Sequence, residues 1–208
     1  MIRLRVDPAA PDPRAIAAAV DVLRDGGIVA YPTDTLYGLA VDPRRDDAVQ
    51  RLFEVKARDR ASAVALIAAD VAQAQEAGTF GVGELALARS FWPGPLTIVV
   101  PVAEQLSRWL TAGLGTVGVR VPAHAAARAL AAGMGYCVTA TSANLTGQPP
   151  ARTADEVHAT LGGYIEALVD GGAAPGGLPS TIVEFADGRP VLRRSGAVAW
   201  DRVLESLQ

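Results

Sequence analysis

Two spacings of apolar residues alternate along the chain. In "DPRAIAAAVDVLRDGG" Ile16, Ala19, Val20 and Leu23 recur three and four residues apart. That spacing predicts a helix with one buried stripe, stopped by Gly26 or Gly27. "GIVAYPT" is instead a short unbroken apolar run ending at Pro32, the mark of a buried strand. Helices are predicted again in "DDAVQRLFEVKAR", with Val49, Leu52 and Phe53 inward and Lys56 in the last turn, and in "GELALARSFWPGP" up to Pro93. "HAAARALAAG", "ADEVHATLGG" and "AWDRVLESL" also read as helices. Strands are predicted in "SAVALIAAD", "LTIVVPV", "TVGVRVPA", "YCVTATS" and "IEALVDGG". "STIVEFADGRPVLRRSG" reads as a hairpin turning around Asp187-Gly188.

Strands that alternate with helices predict an α/β protein. The hairpin makes its sheet mixed, parallel and antiparallel. No repeat or interdomain linker interrupts the pattern, so residues 1–208 are expected to form one domain with one sizeable core. Half of the residues are hydrophobic and the net charge is −3, which fits a globular protein and argues against one that coats nucleic acid. The one cysteine, Cys137, leaves no internal disulfide and no Cys/His zinc set, and is expected to be a small buried hydrophobe. "MIRLRVDPAAP" lacks the apolar segment of a signal peptide, and no apolar run reaches the roughly 20 residues of a membrane helix. A soluble cytoplasmic protein with no membrane partner is expected.

The common catalytic signatures are missing: there is no GxxxxGK[ST], no strand-to-helix GxGxxG, no GxSxG and no HExxH. His124 and His158 are expected to be solvated and structural, which leaves a Ser-His-Asp hydrolase unsupported. Of 19 lysines and arginines only Lys56 is lysine, and Arg58 and Arg60 follow it. In a helix's last turn such cations complement the macrodipole. In an extended segment all three would project from one face at a strand end, where α/β proteins gather ligands, and would suit a polyphosphate.

Four other pieces share that character. "YPTDTLYGLA" sets Thr33, Asp34, Thr35 and Tyr37 after a strand, as an ordinary polar loop or a binding loop. "TATSANLTGQPP" brings Thr139, Thr141, Ser142 and Asn144 to a strand end, as a cap, a turn or contacts to phosphate, ribose or base. Arg120 inside an apolar strand must be ion-paired or face a cavity. Ser180 and Thr181 open the hairpin; Arg193 and Arg194 close it on opposite faces, so at most one serves a given site. Together these pieces predict one cavity for a small anionic ligand.

"YPTDTLYGLA", "VKARDR", "GTVGVRVP", "TSANLTGQPPA" and "PSTIVEF…VLRRSGA", in this order and spacing, resemble the YrdC family of threonylcarbamoyl-adenylate synthases from about residue 14 to 198. The resemblance implies a twisted mixed sheet with flanking helices and a large concave cationic cavity. It implies the reaction of L-threonine, bicarbonate and ATP to threonylcarbamoyl-AMP and pyrophosphate, with Mg²⁺ bound through the ATP phosphates and no other metal. The product feeds a separate transferase complex that modifies adenosine 37 of tRNAs reading codons that begin with A. Weak binding of tRNA or double-stranded RNA is a further expectation of the resemblance.

By that resemblance, Lys56 and Arg58 look like the catalytic pair. Together with Arg60, Thr116, Ser142, Asn144 and Arg194 they look like nucleotide contacts. Thr33, Arg120 and Thr141 look like threonine contacts, with Ser180 closing over the amino acid. Residues 171–179, "GGAAPGGLP", are a candidate lid. Two departures stand out: Asp59 takes the place of a family proline, and Ala63-Val64 that of a Pro-Leu pair, which predicts a less rigid loop around Arg60. At 208 residues the chain resembles the short form, without the extra C-terminal domain of longer members. The alternatives are an RNA-binding module of the same fold, and a paralogue acting on another carbamoyl or amino-acid substrate.

Overall fold

The computed structural model describes residues 1–59, 61–103 and 105–208. In chain order the elements are β1 (Ile2–Arg5), α1 (Pro13–Arg24), β2 (Val29–Pro32), β3 (Tyr37–Ala40), α2 (Asp46–Lys56), β4 (Ala65–Ile67), α3 (Val71–Ala77), α4 (Val82–Phe91) and β5 (Leu96–Pro101). There follow β6 (Thr116–Arg120), α5 (Ala125–Met134), β7 (Val138–Ser142), α6 (Ala154–Leu161), β8 (Ala167–Asp170), β9 (Thr181–Ala186), β10 (Arg189–Arg194) and α7 (Trp200–Glu205). The strands form one sheet in the order β1-β8-β2-β3-β7-β4-β6-β5-β9-β10. Pairing is mixed: β1–β8, β2–β8, β4–β6 and β5–β9 are parallel, and the other adjacent pairs are antiparallel.

Local chemistry sets the helix ends. Pro13 opens α1, where its missing N–H is not needed, and the Asp12 carboxylate caps it by accepting from the Arg14 N–H. A reciprocal capping box between Thr153 and Glu156 opens α6. The stripe Ile16, Ala19, Val20 and Leu23 is buried, as its spacing predicts.

The two faces of the sheet are covered differently. On one face α1 and α5 pack their stripes over Val29, Tyr31, Ala40, Ile67, Val138 and Ala167. On the other, α2, α4, α6 and α7 bury Ala30, Leu39, Leu66, Ile98, Val119 and Leu168 in a larger core. Strand alternation explains the sorting, because neighbouring residues of one strand point to opposite faces. Helices α1 and α5 cover only one end of the strands on their face. Beyond them the same face carries Gly38, Ala65, Ala140 and Gly118, residues too small to fill the space.

Three elements escape the sequence pattern. Residues 37–40, expected as part of a polar loop, form β3: Tyr37 and Leu39 are buried, and Gly38 pairs with both Tyr31 and Ser142. Strand β1 at the edge is half exposed and lacks a clean apolar run. Helix α3, "VAQAQEA", is built mainly from alanine and glutamine and has no strong stripe; the Asp70 side chain caps it.

Candidate active site

The uncovered end of the sheet is a cavity of about 500 Å³, within the range of roughly 300–1,000 Å³ usual for small-molecule sites. Its floor includes Gly38, Ala65 and Ala140 of that row. Its walls come from four loops and strand ends, each placed by a neighbouring element.

The first wall follows β2. Thr33 Oγ1 donates to Leu36 O at 2.7 Å and accepts from the N–H groups of Thr35 and Leu36, at 3.1 and 3.2 Å. These bonds fold residues 33–36 into a tight turn whose hydroxyls, Thr33 and Thr35, line the cavity. Arg120 reaches this turn from β6. Its Nε donates to Gly94 O at 2.9 Å and its Nη2 is ion-paired with Asp34. Both alternatives raised for Arg120 therefore hold together: it is ion-paired, and it lines the cavity.

The second wall follows α2. Ala57 takes a left-handed φ of 48° and ends the helix. Arg58 then leaves the helix axis and enters the cavity wall, braced by bonds from its Nε to Ser62 O at 3.3 Å and from its Nη2 to Ala63 O at 2.9 Å. Burial lowers its pKa from the ordinary arginine value. Lys56, one residue before the break, stays behind the wall and is 1% exposed. The one-face arrangement expected for an extended Lys56-Arg58-Arg60 segment is therefore not formed between Lys56 and Arg58, because the helix runs through Lys56 and breaks after it. Arg60 lies outside the described residues.

The third wall is the carboxyl end of β7, where Thr141 and Ser142 face the cavity. Asn144 sits behind Ser142 and is bound to Lys56 Nζ through its Oδ1 at 3.0 Å. The fourth wall joins β9, β10 and the loop before them. Arg194 donates to Ser180 O at 2.8 Å and to Ser180 Oγ at 3.0 Å, and Ser180 Oγ lies 2.8 Å from Thr97 Oγ1. Burial and the nearby Arg120 charge lower the Arg194 pKa. Arg193 is ion-paired with Glu184 instead and does not line the cavity; a register shift between Leu192 and Arg194 breaks the simple alternation expected of this pair.

Nine residues singled out from the sequence thus meet on one cavity: Thr33, Thr35, Tyr37, Arg58, Arg120, Thr141, Ser142, Ser180 and Arg194. Lys56, Thr116 and Asn144 are not among the lining residues. Thr97 joins them without a motif to mark it; its one signal is a lone hydroxyl on an otherwise apolar strand, "LTIVVP". Among the described residues the lining includes three arginines and no carboxylate. The loop 171–179 contributes Gly177 and Pro179. It is tethered by Tyr37 Oη to Gly172 O at 2.7 Å and by Gly176 N to Thr35 O at 2.8 Å.

Outside the cavity, His158 is exposed, whereas His124 departs from the solvated role expected of it. His124 packs at the start of α5, its Nδ1 is buried with no hydrogen-bond partner, and burial lowers its pKa. Cys137 is fully buried in the core, and burial pushes its thiol up to about 12.

The fold and site define an α/β protein with a mixed sheet and, at one end of it, a cavity lined by arginines and hydroxyls. Comparison with known proteins narrows that class: residues 21–196 match the family model Sua5_yciO_yrdC, described as "Telomere recombination", and the chain belongs to that family. A threonylcarbamoyl-AMP synthase of Bacillus subtilis is 38% identical over 92% of this chain and 56% of its own length. One of Idiomarina loihiensis is 44% identical over 71% of this chain and 83% of its own. The crystal structure of P. abyssi Sua5 complexed with L-threonine superposes with a TM-score of 0.94 at 34% identity, covering 100% of this chain and 61% of that one. E. coli YciO superposes with a TM-score of 0.85 at 25% identity, over 94% and 95% of the two chains. The chain thus spans about 56–61% of the length of two of these relatives.

Proposed function

We propose that this cavity makes L-threonylcarbamoyladenylate from L-threonine, bicarbonate and ATP, releasing pyrophosphate. The observation that carries this reading is the meeting of Arg58, Arg120 and Arg194 with the hydroxyls of Thr33, Thr141, Ser142 and Ser180 around one cavity. Relatives named for this activity, and a Sua5 that holds L-threonine, support it.

The chemistry sets the demands on the site. Threonine's amine adds to CO2 derived from bicarbonate and loses a proton, giving an N-carboxylate. A carboxylate oxygen then attacks the α-phosphorus of ATP, the bond to the β-phosphate oxygen breaks, and pyrophosphate leaves with the electron pair. Such a step needs mainly positioning and charge neutralisation. Arg58 and Arg194 hold the phosphates and the leaving pyrophosphate, with Arg60 expected beside them. Arg120, whose Nη1 approaches Thr35 Oγ1 at 3.5 Å, keeps N–H groups for the threonine carboxylate. Thr33, Thr141 and Ser180 frame the amino acid. Enclosure protects the short-lived carbamate from water.

Among the described residues no group of three His, Cys, Asp or Glu could hold a metal, and no carboxylate lines the cavity. This donor set fits phosphate oxygens, so Mg²⁺ would be held through ATP and would supply charge neutralisation there. The product would pass to a separate transferase complex acting on adenosine 37 of tRNA, in the cytoplasm. Direct binding of tRNA or double-stranded RNA would be weak at a net charge of −3. No helix among the described residues is long and apolar enough to cross a membrane.

The test is pyrophosphate release from ATP, Mg²⁺ and bicarbonate, with L-threonine, serine, valine or no amino acid. Release that depends on threonine, with serine poorer and valine poorest, is expected. Equal release with all three amino acids, or none with any, overturns the proposal.

A further inference from the structure

Lys56 is the one lysine of the chain and is almost fully buried, yet among the described residues its ammonium meets only neutral oxygens. Its Nζ donates to Ser142 O at 2.5 Å, to Asn144 O at 2.9 Å and to Asn144 Oδ1 at 3.0 Å. An ammonium has three N–H groups, so none is left for a substrate. The Lys56 carbonyl also accepts from the Thr146 N–H at 2.9 Å, tying the same segment by its backbone.

The clamp fixes more than position. Asn144 Nδ2 donates to Gln148 O at 2.6 Å while its Oδ1 faces the ammonium. A lysine only donates and a peptide carbonyl only accepts, so the amide has one allowed orientation. Its Oδ1 then also accepts the Ser142 Oγ–H at 2.6 Å. Ser142 lines the cavity, and with its one proton turned to Asn144 it offers the cavity only lone pairs.

We propose that Lys56 is a positioning residue and not a phosphate ligand: through Asn144 it fixes Ser142 as a hydrogen-bond acceptor for an N–H or O–H of the substrate. The proposal rests on the cavity being the adenylate-forming site. A guanidinium would not serve in its place, because its flat fork cannot converge on three oxygens grouped around one nitrogen.

The single lysine makes a direct test available. Protein isotope-labelled only at lysine nitrogen gives one ammonium signal. In the ligand-free protein it is expected to be visible at neutral pH, where an exposed ammonium is lost to solvent exchange. Saturating ATP, followed at the guanidinium signals of Arg58 and Arg194, is expected to move it little. An invisible ammonium overturns the clamp, and a large shift on adding pyrophosphate alone overturns the exclusion of phosphate contact. If ATP disturbs neither guanidinium, the adenylate-forming reading fails, and the ammonium signal still decides the clamp.

Kinetics supply the second arm. Lys56→Met and Asn144→Ala are each expected to lower kcat/KM about 100-fold, as a misplacement of about 1 Å does. The double variant should lose no more than the worse single, because one residue acts through the other. Losses that multiply overturn the relay, as does full activity in Lys56→Arg. Should the variants not fold, the labelled wild-type protein carries the test.

Discussion

Gly118 links the packing of the sheet to the working of the cavity. It lies in β6, between Ala65 of β4 and Thr97 of β5. A methyl group at this position would sit 2.9 Å from Thr97 Cγ2 and 3.6 Å from Ala65 Cβ. The second distance is an ordinary contact; the first forces a shift. Thr97 is not free to give way, because its hydroxyl is 2.8 Å from Ser180 Oγ, which Arg194 also holds at 3.0 Å. Overpacking by one methyl costs about 1–3 kcal/mol, and replacing a strand glycine returns about 0.5–1 kcal/mol. The net loss of up to about 2.5 kcal/mol corresponds to a Tm lower by up to about 10 °C for a chain of this size. Breaking the Thr97–Ser180 bond adds about 0.5–1.5 kcal/mol to threonine binding, roughly a 2- to 12-fold rise in KM. Thermal melts and pyrophosphate release at varied threonine read the two effects on Gly118→Ala. Thr97→Ser removes the offending methyl and keeps the hydroxyl, so G118A/T97S should match T97S alone in both Tm and KM. A double variant that sums the two losses would refute the steric argument.

Three further outcomes follow from the geometry. Asp34→Ala strands the Arg120 guanidinium and should cost about 3 kcal/mol, the low end for a broken buried pair because the cavity admits water; threonine, whose carboxylate replaces the lost charge, should raise the Tm of this variant more than that of the wild type. Burial and the Arg58 charge pull the Lys56 pKa from 10.5 down to about 8, so turnover should fall as pH rises from 7 to 9 and the clamp loses a donor. The Lys56 contribution to stability should rise over the same window, since the unfolded chain binds more protons there than the folded one; a wild-type activity profile flat across it contradicts the assignment. Cys137, with its thiol pushed up to about 12 by burial, should react with thiol reagents only as fast as the protein unfolds, and rapid labelling of the native state would show that the core is open.

Much of the fold is legible in the chain. Stripes such as Ile16, Ala19, Val20 and Leu23, and runs such as "TVGVRVP", have one spacing that buries them, so α1 and β6 fall where their patterns put them. Strand β3 was not legible, because "YGLA" is held by its partners β2 and β7 and not by its own pattern. Thr97 was hidden for a related reason: one hydroxyl in an apolar strand does not show which face the strand will leave open. Lys56 and Arg58 lie two residues apart, and only the left-handed turn at Ala57 sends one behind the wall and the other into the cavity.

The sequence by itself determined the α/β class, the buried strands and the chemical character of the site, since hydroxyls and arginines next to apolar runs have few places to go. Tertiary structure decided where the cavity lies and which residues line it. Helices α1 and α5 cover only one end of their face, and Gly38, Ala65 and Ala140 leave the other end unfilled. Local periodicity records that a face is to be buried; only the packing of distant elements settles how much of it is.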